Sequence, residues 1–317
     1  MNNPCYLSLD VGGSKYIVGL ISASGEVLGT RRGVWRALTQ ADVLHTLIDE
    51  SRALLQAHSA APAACGITIP GLAAPERGLW VEASFSGIRN FAICARIEDA
   101  LSLPAACDND GQAYALAEMR FGACRGVSDF LYVNVSNGIG GAIVSGGRLL
   151  YGVNGFAGEF GHCVVVPDGR PCKCGSRGCL EMHAAGPGLA RSYAEAGGAP
   201  DAQGRPAQGK EIAARARSGE ALAQAVFREQ GELIGGVIAS AVNLLNPQKV
   251  IIGGGLSLAY DCFGPSLEQT VRSRVYGRAN PELTIQPTPL GYLAGLYGGA
   301  AIAERKALAH HKEETSP

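Results

Sequence analysis

The chain has 317 residues, 47% of them hydrophobic and 17% charged, and its formal net charge is -1. This length is enough for two domains, and the near-zero charge gives no reason to expect nucleic acid or an acidic membrane as a partner. No run of about 18 apolar residues could span a bilayer, and the first residues do not resemble a secretory leader. We therefore expect a cytoplasmic, globular, two-domain protein that binds neither membrane nor nucleic acid.

The first 120 residues alternate between strand and helix patterns. Short apolar runs separated by turns at Gly12-Gly13 and Gly25-Glu26 predict an antiparallel meander. Apolar residues at helical spacing predict one helix over 41–58, and a second helix is predicted over 113–119. The predicted strands are 6–10, 16–21, 27–29 and 65–69.

The second half of the chain begins with a similar meander. Its predicted strands are 131–135, 142–144 and 148–150, with turns at Asn137-Gly138 and Gly146-Gly147. A long helix is predicted over about 220–245 and must end at Pro247, which lacks the backbone N–H that a helix needs. A buried strand follows at 250–252. Two meanders of this kind predict a duplicated architecture.

Three glycine-rich turns could bring a phosphate close to backbone N–H groups. The first combines Gly12 and Gly13 with the hydroxyl of Ser14 and with Asp10, a carboxylate suited to a hydrated Mg²⁺. The other two are Ser136-Asn137-Gly138 and Gly253-Gly254-Gly255. Any single turn is better explained as structural, whereas three in one chain favour nucleotide binding. Neither the P-loop nor the dinucleotide pattern is present.

Three of the ten cysteines, Cys172, Cys174 and Cys179, cluster within eight positions. Together with His162 they supply the ligand set of a tetrahedral structural zinc, and the glycines between them allow the loop to fold back. The alternative is a loop of unliganded cysteines. The other cysteines are expected to be buried, reduced thiols: Cys5, Cys65, Cys94, Cys107, Cys124, Cys163 and Cys262.

Acidic residues mark a candidate catalytic site. Asp108-Asn109-Asp110 follows a strand pattern and precedes the helix at 113, so a carboxylate there could accept the proton of a sugar hydroxyl. The alternative is that Asn109 or Asp110 only caps that helix. Glu159 and Glu181 flank the proposed zinc ligands, where carboxylates would accept hydrogen bonds from a ring of hydroxyls.

These motifs together resemble the ROK family (repressors, open reading frames and kinases) of bacterial sugar kinases, along nearly the whole chain. The cysteine-rich stretch with His162 ahead of it is the most specific of them. The motifs that carry the resemblance are Asp10-Val11-Gly12-Gly13-Ser14-Lys15, Asn109-Asp110, Gly138-Ile139-Gly140-Gly141, Gly158-Glu159-Phe160-Gly161-His162, Cys172-Lys173-Cys174-Gly175-Ser176-Arg177-Gly178-Cys179-Leu180-Glu181 and Ile252-Gly253-Gly254-Gly255.

The resemblance implies an α/β fold of the actin/hexokinase-like (ribonuclease H-like) type, duplicated, with a central cleft between two domains, and a homodimer. We expect a small N-terminal domain over 1–120, completed by a C-terminal helix at about 296–310. A large domain over 121–295 would carry the zinc loop, and 311–317 would be a frayed tail.

The resemblance also implies an ATP-dependent sugar kinase that uses ATP, Mg²⁺ and a structural Zn²⁺. Asp110 would be the general base toward a sugar hydroxyl, typically on carbon six, and His162 would bind zinc with one ring nitrogen while facing the sugar with the other. Residues implied at the sugar are Gly71, Ser84, Asn109, Asp110, Glu159, His162 and Glu181. Residues implied at ATP and Mg²⁺ are Asp10, Gly12, Gly13, Ser14, Lys15, Ser136, Asn137, Gly138, Gly254 and Gly255. Residues implied at zinc are His162, Cys172, Cys174 and Cys179.

The chain departs from the family pattern at three places. Asn137 stands where threonine is usual in the second phosphate turn, and Gly111-Gln112 replaces the usual Ala-Asn after the base. Residues 83–88 lack the usual asparagine and Gly-Trp of the sugar loop. The sugar is therefore open: glucokinase-like activity is favoured, and N-acetylmannosamine or N-acetylglucosamine kinase activity is the alternative.

Function classes other than a kinase fit part of the pattern. A repressor of the same family would need a helix-turn-helix extension, which we do not expect because only nine residues precede Asp10. A non-catalytic sugar sensor is an alternative, favoured by Asn137. Another actin-like ATPase is a third reading.

Overall fold

The computed structural model describes residues 4–83, 86–277 and 280–315, with side chains up to residue 311. Within these ranges the strands are β1 (Cys5–Val11), β2 (Lys15–Ser22), β3 (Val27–Val34), β4 (Cys65–Ile69), β5 (Leu72–Ala74), β6 (Leu79–Glu82), β7 (Arg89–Phe91), β8 (Ala105–Asn109), β9 (Phe130–Val135), β10 (Ile139–Ser145), β11 (Arg148–Leu149), β12 (Lys249–Gly253) and β13 (Thr284–Pro287). The helices are α1 (Gln40–His58), α2 (Ile93–Leu101), α3 (Asp110–Arg120), α4 (Leu180–Ala184), α5 (Gly186–Glu195), α6 (Gly209–Arg217), α7 (Ala221–Leu245), α8 (Tyr260–Arg274) and α9 (Ala294–Thr315).

The chain divides into two compact units, which are described separately. The first unit contains residues 1–125, the connecting segment Tyr151–Phe156 and residues 292–317. The second contains residues 126–150 and 157–291. Helix α9 continues to Thr315, into the segment 311–317 that the sequence analysis expected to be a frayed tail.

The first unit is built on a five-stranded sheet in the order β3-β2-β1-β4-β8. Strands β1 to β3 form the antiparallel meander, while β4 and β8 run parallel to β1. Alternate residues of β2 point to opposite faces, as a strand requires. Val18 and Leu20 join the same core cluster as Val43 of α1, whereas Ile17 joins the cluster of Leu296 of α9. Helices on both faces therefore explain why β2 is buried along nearly its whole length.

Close packing of α9 on this sheet depends on a glycine. A Cβ on Gly66 of β4 would lie 1.8 Å from the carbonyl oxygen of Gly299, so only glycine allows the helix backbone to approach. The hydroxyl of Ser8 donates a 2.7 Å hydrogen bond to the carbonyl of Leu296 from the same face. A small additional sheet, in the order β5-β6-β7, buries Trp80, whose indole N–H donates to the carbonyl of Pro70 at 2.9 Å.

The second unit repeats this plan with the order β11-β10-β9-β12-β13. Strands β9 to β11 are antiparallel, and β12 and β13 run parallel to β9. Leu131 and Val133 of β9 share one core cluster with Ile234 and Ile238 of α7. Full burial of an aliphatic side chain contributes about 1.5–3 kcal/mol, so the face that carries α7 supplies much of the stability of this unit.

The two sheets confirm the duplicated architecture expected from the paired meanders. The predicted strands of both meanders, the strand at 65–69, the helix at 41–58 and the long helix are also confirmed. Helix α7 ends at Leu245 because Asn246 turns left-handed, with φ of 48°, and Pro247 follows. Helix α3 begins at Asp110, earlier than the expected start at 113, because Asn109 caps it. No described helix is both long enough and apolar enough to span a bilayer.

Candidate active site and metal centre

The turn between β1 and β2 exposes backbone N–H groups next to a lysine. The N–H of Gly12 donates to the carbonyl of Lys15 at 2.8 Å, and the indole N–H of Trp35 donates to the carbonyl of Gly12 at 2.8 Å. These bonds fix the turn, while Gly13, Ser14 and Lys15 stay exposed. The Lys15 ammonium lies 4.7 Å from the ring centroid of Tyr292, an arrangement that holds the cation beside the turn.

Asp10, at the end of β1, is a carboxylate enclosed by its own unit. Thr68 donates a 2.8 Å hydrogen bond to its Oδ1, and a Cβ on Gly295 of α9 would lie only 2.3 Å from its Cγ. Burial raises the pKa of Asp10, and the bond from Thr68 and the charge of Lys15 oppose the rise. The first turn of α9 presents the positive end of the helix dipole to this carboxylate. A divalent cation bound next to this carboxylate would offset the rest of the free energy that burial of its negative charge costs.

The junction of β8 and α3 carries the proposed base. Oδ1 of Asn109 accepts a 2.8 Å hydrogen bond from the N–H of Gly111 and so caps α3, while its Nδ2 donates to the carbonyl of Gly71 at 2.5 Å. The helix-cap alternative is therefore confirmed for Asn109. Asp110 is the first residue of α3, and its Oδ1 also accepts the Gly111 N–H at 2.8 Å.

Asp108 precedes this junction and was assigned no role from the sequence. It is only 4% exposed, its Oδ2 accepts a 2.7 Å hydrogen bond from the Tyr151 hydroxyl, and its Oδ1 accepts the Asn109 N–H at 2.8 Å. Burial raises the pKa of Asp108 to about 6, although those two bonds and Arg305 oppose the rise. No local pattern identifies such a residue, because its partner Tyr151 is 43 positions away.

In the second unit, the ligand atoms of His162, Cys172, Cys174 and Cys179 all lie within 4.8 Å of one another. Nδ1 of His162 is 3.7 Å from Sγ of Cys172, and the Sγ atoms of Cys174 and Cys179 are 3.6 Å apart. One imidazole and three thiols at this spacing match the donor set of a structural zinc. The grouping predicted from the cysteine spacing is thus brought together in the fold.

The backbone around these four residues forms a tight, self-bonded loop. The Cys172 N–H donates to the Ser176 carbonyl at 2.9 Å, and the Gly178 N–H donates to the Arg170 carbonyl at 2.9 Å. Gly178 has φ of 73°, and a Cβ there would lie 1.7 Å from the Val166 carbonyl, so glycine is required. The Arg170 guanidinium ties the loop to α5 through Ser192 and Glu195, at 3.1 and 2.7 Å.

Two carboxylates adjoin this cluster. Oε2 of Glu159 lies 3.8 Å from Nε2 of His162, the ring nitrogen opposite the one that faces the thiols. Oε2 of Glu181 accepts the Ile139 N–H at 3.0 Å, and a Cβ on Gly138 would lie 2.6 Å from it. Burial and the neighbouring Glu181 raise the pKa of Glu159, while His162 opposes the rise. The second glycine turn therefore lies against Glu181, one of the carboxylates expected to bind the sugar.

The third glycine turn packs beside the second in this unit. Gly254 has φ of 84°, and a Cβ there would lie 2.4 Å from the Val135 carbonyl. Its own carbonyl accepts the Ser257 hydroxyl at 2.7 Å, at the start of a 3₁₀ turn over Gly255–Ala259. A Cβ on Gly255 would be 3.6 Å from the Ser136 hydroxyl, so the two turns adjoin.

The predicted site residues thus form one group in each unit. The first unit contains Asp10, Gly12, Gly13, Ser14, Lys15, Gly71, Asn109 and Asp110. The second contains Ser136, Asn137, Gly138, Glu159, His162, Cys172, Cys174, Cys179, Glu181, Gly254 and Gly255. Ser84, proposed at the sugar, lies outside the described residues.

Two five-stranded sheets of identical strand order, each an antiparallel meander followed by two parallel strands, define the actin/hexokinase-like class of α/β proteins. The family model of the ROK family matches residues 6–306, so the chain belongs to the ROK family. A glucokinase of Halalkalibacterium halodurans is 30% identical over 324 residues, covering 96% of this chain and 97% of the relative. An N-acetylmannosamine kinase of Escherichia coli is 33% identical over 260 residues, covering 80% and 84%.

Solved structures agree with this membership. A ROK family glucokinase from Streptomyces griseus in complex with glucose and AMPPNP is similar with a TM-score of 0.82 and 30% identity, over 95% of this chain and 99% of that one. A ROK family transcriptional regulator, a homologue of the E. coli MLC protein, is similar with a TM-score of 0.88 and 30% identity, over 96% of this chain and 79% of the regulator. The same fold therefore occurs in a kinase and in a regulator.

Proposed function

We propose that this protein is an ATP-dependent sugar kinase, which transfers the γ-phosphate of ATP to a hexose hydroxyl, the one on carbon six. One observation carries the proposal: Asp10, Thr68 and Asn109 lie within one residue of the carboxyl ends of three adjacent parallel strands, β1, β4 and β8, and Asp110 follows Asn109 directly. Ligands of open α/β sheets bind at the carboxyl ends of the strands. The glucokinase relatives and the glucose and AMPPNP complex support the same reading.

The proposed chemistry needs few protein groups. Asp110 accepts the proton of the sugar hydroxyl, and that oxygen forms the new bond to the γ-phosphorus as ADP leaves. Asn109 cannot take the proton because it is an amide, and its bonds to Gly111 and Gly71 fix the junction on which Asp110 sits. When bound, Mg²⁺ neutralises phosphate charge, and Asp10 beside the Gly12 turn is the carboxylate suited to its water shell.

We also propose that His162, Cys172, Cys174 and Cys179 hold a structural Zn²⁺. The donor set supports this, since the four side chains would fill all four positions of a tetrahedral zinc and leave no coordination position for a catalytic water. The metal would fix His162, whose other nitrogen faces Glu159, and Cys179, which lies two positions before Glu181. Its role is to hold the sugar-facing side chains in register.

Glucose is the first sugar we propose. The glucokinase relatives cover nearly the whole chain, and the glucose complex is of the same family. An N-acetylated hexosamine is the second candidate, favoured by the N-acetylmannosamine kinase relatives. Replacement of the usual sugar-loop residues at 83–88 keeps this second candidate, because the loss of an amide and a tryptophan there would change which hydroxyls or which N-acetyl group is recognised.

We further propose a cytoplasmic homodimer that binds no nucleic acid. The net charge of -1 supports the last point, because DNA-binding domains carry an excess of basic residues. A non-catalytic sugar sensor is the competing class, and the similarity to a transcriptional regulator of the same family supports it.

The test measures ADP release with ATP and Mg²⁺ across glucose, mannose, allose, fructose, N-acetylglucosamine and N-acetylmannosamine. We expect turnover with one sugar and a loss of about 10²-fold or more in Asp110→Asn, with sugar binding retained. Asp99→Asn, which alters an exposed carboxyl of α2, is the matched control and should behave like the wild type. Sugar binding without turnover in the wild type would favour the sensor.

A further inference from the structure

Asp108 takes no part in the proposed chemistry, yet it lies at the centre of a hydrogen-bond network that ends at the base. The Tyr151 hydroxyl donates to its Oδ2 at 2.7 Å, and the Asn109 N–H donates to its Oδ1 at 2.8 Å. The Asn109 side chain then accepts the Gly111 N–H at 2.8 Å, and the same N–H donates to Oδ1 of Asp110 at 2.8 Å. A continuous path of four short bonds therefore joins Tyr151 to the Asp110 carboxylate.

The surroundings of Asp108 hold its carboxyl group in one position. The carboxyl is 4% exposed and Tyr151 is half-buried, so water competes little for either bond. Arg305 of α9 lies near both groups and Cys107 precedes Asp108 in β8, and these are the charged or titratable neighbours that act on the pair. Bonds to a buried carboxylate are among the strongest neutral-donor hydrogen bonds in proteins.

Tyr151 reaches this network from a segment far away in the sequence. The connecting segment Tyr151–Phe156 belongs to the first unit, although residues on either side of it belong to the second. A Cβ on Gly155 would be 3.7 Å from the Ala73 carbonyl, so the segment also contacts the small sheet of this unit. The hydroxyl of Tyr151 thus links the connecting segment to the strand end that precedes the base.

We propose that Asp108 and Tyr151 form a positioning pair that holds the Asn109-Asp110 junction, and with it the proposed base, in the geometry that phosphoryl transfer requires. The inference rests on the proposed kinase function. The pair acts through the N–H groups of Asn109 and Gly111 at the junction. Small displacements of a base reduce turnover strongly, since an error of about 1 Å costs up to about 10²-fold.

Tyr151→Phe tests the pair with the smallest change, because it removes only the hydroxyl. We expect kcat with the preferred sugar to fall about tenfold while KM for ATP stays within about twofold. Asp108→Asn, whose side chain keeps an acceptor for the Asn109 N–H, should retain more activity than Asp108→Ala. Tyr193→Phe is the matched control: it removes a buried tyrosine hydroxyl bonded to a carboxylate, that of Glu220 in the second unit, and should leave kcat unchanged.

A second readout does not depend on turnover. Amide hydrogen exchange of Asn109 and Gly111, whose N–H groups belong to the network, should become about tenfold faster in Tyr151→Phe and stay unchanged in Tyr193→Phe. Faster exchange together with lower kcat supports the pair. A kcat within about twofold of the wild type overturns it, whether or not exchange changes. If the wild type turns over no sugar, the kinase proposal fails, and unchanged exchange would still overturn the pair.

Discussion

Ionisation of Asp108 should make the stability of the protein depend on pH between about 4 and 6. Burial raises the pKa of this carboxyl from its ordinary value of 3.8 to about 6, so the folded state binds its proton more tightly than the unfolded chain does. The stabilisation is complete below the unfolded value and is lost as pH rises through the folded value. Two pKa units correspond to about 3 kcal/mol, because each unit is about 1.36 kcal/mol.

Asp108→Asn removes this ionisation and isolates its contribution. We expect the free energy of unfolding of the variant, minus that of the wild type, to increase by about 2 kcal/mol from pH 4 to pH 7, because the unfolded carboxyl, with an ordinary pKa of 3.8, is already more than half ionised at pH 4. Other titrating groups are shared by both proteins and cancel in the difference.

Urea unfolding followed by tryptophan fluorescence measures this difference in the relevant unit, since both tryptophans, Trp35 and Trp80, belong to the first unit. Asp99→Asn, which alters an exposed carboxyl of α2 in the same unit, is the matched control for the loss of one carboxyl group. If the difference in unfolding free energy between Asp108→Asn and the wild type stayed constant across this pH range, the raised pKa assigned to Asp108 would be refuted.

Two further predictions concern the second unit. Removing the metal with a chelator, or replacing Cys179 by serine, should weaken sugar binding by about tenfold or more, because His162 would lose a fixed orientation. Metal content and sugar affinity measure this, and unchanged affinity in metal-free protein would contradict it. Cys163→Ser is the control, because Cys163 lies outside the cluster and is exposed, although the sequence analysis expected it to be buried. Gly254→Ala should lower stability by at least about 2 kcal/mol, since its φ is 84° and a Cβ would meet the Val135 carbonyl at 2.4 Å. Thermal unfolding measures the loss, and Gly146→Ala, also at positive φ but with open space around it, should cost less.

Elements with strong local patterns were predictable from the sequence. The meanders alternate apolar residues between glycine turns, and α7 combines helical periodicity with a proline after its end. The metal cluster was equally predictable, because three of its ligands fall within eight positions and its chemistry depends on residue type. In each case a few neighbouring residues determine the result.

Elements that depend on distant partners were not predicted. Helix α8 carries Pro265 inside it, which is unfavourable in a helix interior, yet Phe263 and Leu267 bury against α7 and compensate. The strands β5 to β7 are three or four residues long and gain stability only by pairing with one another. Asp108 belongs with them, since only the fold brings Tyr151 to it.

The two sheets show how one topology supports two kinds of local chemistry. In the first unit, Asp10 and the Asn109-Asp110 junction lie at strand ends of the sheet, so main-chain pairing itself fixes the acids. In the second unit, the strands that correspond to β1 and β8 are β9 and β13, which end in Val135 and Pro287. The acids of this unit come instead from the segment between β11 and α5, which also carries the cluster of three thiols and an imidazole. Glu181 lies in the short helix α4 and is held there by the Ile139 N–H, whereas Glu159 lies outside any helix or strand. A zinc bound by His162 and Cys179 would further restrict both acids, because each acid lies within three positions of one of these ligands. Loss of the metal should therefore affect the sugar-facing residues of the second unit and leave the Asp110 junction intact.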